Sequence, residues 1–229
     1  MRLLLLTIFL AYSLTISAQK RYLVKAGESP LEVLPNEAVY VFPAFTAGTA
    51  LLRDGTTSSQ QFNYNFVLDE MQFLNAKGET LTIAEPVTIR SILIDSVTFY
   101  YDKTYLQEVY KAGTFKLAVK RTLVKTSDKK IGGYNMALGS GAITTYGSMR
   151  TTGSNSSYQK LRLNKDVYFE KSEAYYLGDE FNHFVKADKK GFLNMFSLKN
   201  DVLQKYLKGN DIEYHSLDDL KKLLKVCAE

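Results

Sequence analysis

The stretch from Gln61 to Ile83, QFNYNFVLDEMQFLNAKGETLTI, constrains the fold of this chain more than any other. Phe62, Tyr64 and Phe66 alternate with Asn63 and Asn65, a period of two that puts the rings on one face of a strand and the amides on the other. Met71 and Phe73 lead into Asn75-Ala76-Lys77-Gly78, a cluster of turn formers, and Leu81 and Ile83 resume the alternation. The stretch predicts the central hairpin of a β domain.

The start of the chain predicts export. Arg2, the apolar run Leu3 to Ala11 and the small residue Ala18 precede polar Gln19-Lys20. A short basic start, a brief apolar run and a small residue at the cut make a secretory signal peptide. The run falls short of the roughly 20 residues that a spanning helix needs. Cleavage is expected near Ala18. No cysteine lies beside that point to carry a lipoprotein anchor, and no later stretch has the apolar length of a membrane span.

The rest, residues 19–229, is expected to fold as a single β-rich domain. Cys227 is the only cysteine, so no intramolecular disulfide can form and the core alone must hold the fold. Roughly 210 residues suffice for that. Leu217, Leu220, Leu224 and Cys227 recur at helical spacing, where cysteine serves as a small apolar residue.

In order, residues 19–38 read as a polar lead-in broken by Pro30 and Pro35. Val39-Tyr40-Val41-Phe42 predicts a first strand and Thr49 to Arg53 a second, closed by Asp54-Gly55. Val87 to Ile94 and Val97 to Tyr101 flank Asp95-Ser96 as strand, turn and strand. Tyr105 to Tyr110 fits either a strand or a helical turn. Thr114 to Lys120 alternates Phe115, Leu117 and Val119 against Lys116 and Lys120, a half-buried strand with its basic side in water. Residues 126–160 are rich in Gly, Ser and Thr and read as a long mobile loop. Its Gly132-Gly133 and Gly139-Ser140-Gly141 lack the Gly-Lys-Ser/Thr ending of a phosphate loop. Val167 to Phe169 resumes the sheet, and Ala174 to Leu177 with Phe181 to Val185 predicts a last hairpin. Residues 198–227 form a tail of two short helices, the second opened by a Ser216-Leu217-Asp218-Asp219 cap. The fold class is mainly β (α+β): an antiparallel β-sandwich or open barrel with two short C-terminal helices.

These segments together carry a resemblance. The order of strand, Asp-Gly, FNYN, DEMQF and hairpin, with a later YYL hairpin and the ending LQKYLKGNDIEYHSLDDLKKLL, is similar to small exported, largely uncharacterised proteins of the Bacteroidetes group. It covers most of the chain outside 126–160. It implies an envelope or extracellular address and brings no catalytic residues. Asp95-Ser96-Val97 matches the short O-glycosylation pattern the resemblance implies, and the turn accounts for the same residues.

No arranged acid, base or nucleophile stands out. His183 and His215 lie in different elements, and Glu180 and His183 point to opposite faces of a strand, so no metal set is expected. Ser140 lacks the strand-to-helix elbow of a hydrolase nucleophile. Asp69 and Glu70, adjacent on a strand, diverge rather than pair. No enzyme activity and no cofactor is expected.

The formal charge is +5, and its excess is local: residues 103–130 hold eight Lys/Arg against Glu108 and Asp128. In an exported protein such a face would gather anionic glycans or lipid headgroups rather than nucleic acid. The expected function is a non-catalytic binding or structural module of the envelope, holding a protein or an anionic component through Lys116, Lys120, Arg121 and Lys125 and through Tyr146 and Tyr158 in the loop. A β-barrel carrier of a small apolar ligand and a hydrolase assembled from distant loops are the alternatives.

Overall fold

A computed structural model describes residues 20–126 and 163–228. Its strands are β1 (Arg21–Val24), β2 (Thr46–Leu52), β3 (Thr57–Asn65), β4 (Glu70–Leu74), β5 (Thr80–Thr82), β6 (Ile89–Ile94), β7 (Val97–Tyr101), β8 (Tyr105–Ala112), β9 (Phe115–Thr126), β10 (Val167–Gly178) and β11 (Phe184–Lys186). All join one antiparallel sheet in the order β1-β10-β9-β8-β7-β6-β2-β3-β4-β5. β11 pairs with β10 on the edge that β1 also uses, β1 at Val167–Glu170 and β11 at Tyr176–Gly178. The protein is mainly antiparallel β with C-terminal helices, and the sheet stays open.

The opening stretch forms a three-stranded meander, β3-β4-β5, where a single hairpin was predicted. It ends the sheet rather than occupying its centre. The extra turn follows Asn65, whose Oδ1 accepts the Val67 and Leu68 N–H groups and folds the chain back so that Glu70 pairs with Asn65. The prediction of one wet face fails as well. Asn63 and Asn65 are as buried as Phe62 and Tyr64, because the N-terminal segment lies over them. Asn63 Oδ1 accepts the Phe42 N–H, and its Nδ2 donates to the Phe42 and Ala44 carbonyls.

That segment is not the featureless lead-in expected. It contains β1 and two single-turn helices, α1 (Pro30–Val33) and α2 (Asn36–Val39). Pro30 occupies the first turn of α1 and Pro35 the cap of α2, positions where a missing N–H costs nothing, so the prolines start helices instead of breaking them. The predicted strand from Val39 to Phe42 reduces to one bridge, Tyr40 with Asn65.

Pro86 turns Pro86–Thr88 into a 3-10 turn and delays β6 to Ile89. β7 matches its predicted bounds, with Asp95 of the preceding turn at φ +52°. The ambiguous Tyr105 stretch is a strand, bulged between Glu108 and Tyr110. Gly48 on β2 permits a close approach: a Cβ there would lie 2.6 Å from the Leu93 carbonyl oxygen and 3.1 Å from the Phe62 ring.

The sheet curls around one core and carries helices over another. The first core joins Phe62, Tyr64 and Met71 with Tyr22, Val24, Val167 and Phe169, so strands from the two ends of the strand order share one interior. Beyond the end of β8 the Leu123 N–H donates to the Phe66 carbonyl, which draws the β3-β4 turn onto β9. The predicted tail holds its two helices, α4 (Asn200–Gly209) and α5 (Leu217–Ala228), and a further helix, α3 (Lys189–Met195), precedes it. Asp188 opens α3 by accepting the Gly191 N–H. Phe192, Phe196, Leu203, Leu220, Leu223 and Leu224 pack on Leu117 and Leu177. Each large apolar side chain so buried contributes about 1.5–3 kcal/mol. Cys227 sits in this stripe as expected, and burial pushes its thiol up to about 11. Ser216 Oγ caps α5 by accepting the Asp219 N–H.

Candidate functional site

Long β9 places Lys116, Lys120, Arg121 and Lys125 along its length, yet Lys116 is buried and Lys120 and Arg121 are partly covered. Lys116 is 5% exposed, so the water-facing basic strand is corrected. Its Nζ donates to Asn182 Oδ1 at 2.6 Å and lies 4.6 Å from the Tyr100 ring centre. Burial holds its ammonium below the usual lysine range. Tyr100 in turn donates to Glu108 at 2.6 Å, and burial together with that carboxylate pushes the phenol up. Both faces of β9 are covered at this end, because the helices lie on one side and the Asp179–His183 link brings Asn182 to the other. Alternation could not report the second cover.

Lys120 belongs to a second polar knot. Its Nζ donates to Asp69 Oδ2 at 2.9 Å, Tyr64 O–H donates to Asp69 Oδ1 at 2.5 Å, and Thr104 Oγ1 lies 2.9 Å from both carboxylate oxygens. Asp69 adopts φ +56°, a left-handed conformation that Asp tolerates better than most side chains. The knot ties the β3-β4 turn, the β7-β8 turn and β9 together. Burial is the first cause that pushes the Tyr64 phenol well up, followed by the Asp69 charge. Arg121 Nε donates to Glu173 Oε1 at 2.6 Å and Nη1 to Gln107 Oε1. Lys125 is exposed on β9. Tyr146 and Tyr158 lie outside the described residues.

The carboxylates that a hydrolase assembled from distant loops would draw on go to separate partners. Asp69 meets Lys120, Glu70 accepts from Thr82 Oγ1 at 2.9 Å, and Glu173 meets Arg121. Asp179 Oδ2 lies 3.1 Å from His183 Nδ1, while its Oδ1 accepts the Phe181 and His183 N–H groups and shapes the turn. Among the described residues no three His, Cys, Asp or Glu side chains group to hold a metal ion. No described helix is long and apolar enough to cross a membrane.

Hollows open on the surface among the described residues. A broad trough of about 870 Å³ crosses β2, β3 and β6, lined among others by Ala47, Thr49, Ser59, Gln61, Asn75 and Asp95. A smaller hollow of about 420 Å³ lies where α1 and α2 meet β4. Leu31, Leu34, Val39 and Leu68 make its apolar wall, and Asn65 and Gln72 its amide floor. Tyr40 O–H donates to Gln72 Oε1 at 3.0 Å, and Asn65 Nδ2 lies 3.5 Å from the same oxygen, so the floor is internally ordered. An apolar wall beside a few convergent polar groups can seat an apolar side chain and fix its orientation. Sequence reasoning missed it because its wall comes from a segment read as irregular. The available signal was the pair of amides Asn65 and Gln72 inside an aromatic and apolar stretch.

No family model matches the chain, and no curated protein or solved structure does.

Proposed function

We propose that this protein is an exported, non-catalytic binding module that grips a protein partner of the cell envelope through the hollow between α1, α2 and β4. The observation that carries this reading is the hollow itself: an apolar wall, an ordered amide floor and a partly exposed entrance residue, Leu31. Such a recess accepts an apolar side chain from a partner, and its amides fix orientation. The signal-peptide pattern and the resemblance to exported Bacteroidetes proteins support the address.

The pairing of Lys116, Lys120 and Arg121 within the chain weakens the case for an anionic partner on β9, since each positive group already holds an acceptor. The aromatic interior favours a surface site over an enclosed ligand. The Tyr64 ring lies 5.8–6.0 Å from Phe66, Phe99 and Tyr105, so side chains fill the space a carried ligand would use.

A photo-reactive residue at Leu31 or Leu68 tests the reading in cells that export the chain. Cross-links to envelope proteins are expected from these positions and not from Val87, which is exposed outside the hollow. Equal cross-linking from Val87, or none from the hollow, would overturn it.

A further inference from the structure

We infer that the occupant of this hollow is a second copy of the chain, which inserts Leu198 and Val202 from its helical layer in a head-to-tail contact. This rests on the reading of the hollow as a protein-binding site. Leu198 stands fully in solvent on the Ser197–Lys199 turn, and Val202, four residues on in α4, is half exposed. Two apolar side chains held outward within five residues gain nothing until another surface covers them.

Charge selects which surface. Residues 186–208, around Leu198, carry six Lys and two Asp. One of those, Asp188, is spent on capping α3. Residues 28–85, which supply the whole wall and floor of the hollow, carry eight Asp/Glu and two Lys/Arg, although the chain is +5 overall. That balance stays negative after Lys20 and Lys120 match Glu37 and Asp69. An apolar projection on a lysine-rich segment thus faces an apolar recess built from an acid-rich one, the two segments opposite in charge. Plug and hollow are different surfaces, so each copy offers one of each and the contact extends as short runs or closes as a ring.

Sedimentation velocity on the protein purified from expressing cells tests this. Mass should rise with concentration at low salt and return toward the monomer as salt screens the two surfaces. Leu198→Ser and Leu31→Lys should each weaken association by about tenfold or more, since one removes an anchor and the other sets like charges against each other. Both positions are exposed, so the urea midpoint should hold. Mixed together, the two variants should form a one-to-one complex, because one keeps the hollow and the other the plug. A monomer at every concentration, or association that ignores both substitutions, overturns the inference. If hollow cross-links then reach other envelope proteins, the binding-site reading survives without self-association. If cross-links also fail, both fall.

Discussion

Replacing Asp69 by Asn should destabilise the fold by about 2–3 kcal/mol, through a charge left without its partner. Asn keeps the shape and tolerates the φ of +56° at this position, and its oxygen still accepts from Tyr64 or Thr104. What it loses is the charge that Lys120 Nζ meets at 2.9 Å. Removing one member of a fully buried pair costs about 3–5 kcal/mol. Here the Lys120 and Asp69 side chains keep 21% and 17% exposure, so the stranded ammonium reaches some water and the lower figure applies. Urea unfolding followed by circular dichroism reads this directly. With a slope of about 2–3 kcal/mol/M the midpoint should fall by roughly 1 M. Lys120→Met should cost a similar amount. The double variant should recover about 1–2 kcal/mol of the summed loss, because the two side chains act as one unit. Asp69→Ala should cost more than Asp69→Asn, since alanine adds left-handed strain. Strict additivity of Asp69→Asn and Lys120→Met, or a loss below about 0.5 kcal/mol, would refute the claim that this pair ties the turns to β9.

Other outcomes follow from the same geometry. Burial raises the Cys227 thiol to about 11 from 9.0. The unfolded chain therefore ionises first, and the stability this group contributes below pH 9 should be lost as pH rises from 9 to 11. That loss is on the order of 2 kcal/mol. Cys227→Ala should flatten that part of the urea-midpoint profile, and thiol reagents should label the native protein only as fast as it opens. Gly48→Ala forces a Cβ to 2.6 Å from the Leu93 carbonyl oxygen, so β2 and β6 must separate. A loss of about 1–3 kcal/mol and a lower Tm by calorimetry are expected. Asn65→Ala frees the Val67 and Leu68 N–H groups of the β3-β4 turn. It should cost about 1–3 kcal/mol in urea unfolding and raise hydrogen exchange at those two amides first.

Local pattern determined much of this protein. The period of two in Phe62, Tyr64 and Phe66 put those rings in the core, and the two-residue break at Asp95-Ser96 set the β6-β7 hairpin. Helical spacing placed Leu220, Leu224 and Cys227 under α5, and Ser216 marked its start. Each of these depends on neighbours within a few residues, where geometry follows from sequence separation alone.

Tertiary structure decided what covers the second face of a strand. Lys116 alternates as a surface residue should, yet the link that carries Asn182 closes over it from 66 positions away. The Asp69 knot joins Tyr64, Thr104 and Lys120 across separations of 5, 35 and 51 residues. The hollow needed α1 and α2 to be laid on β4 before Leu31 and Gln72 could share a wall and a floor. Periodicity reports which way a side chain points along its own strand. What it meets there depends on chain that arrives from elsewhere, and only the folded sheet brings that chain into place.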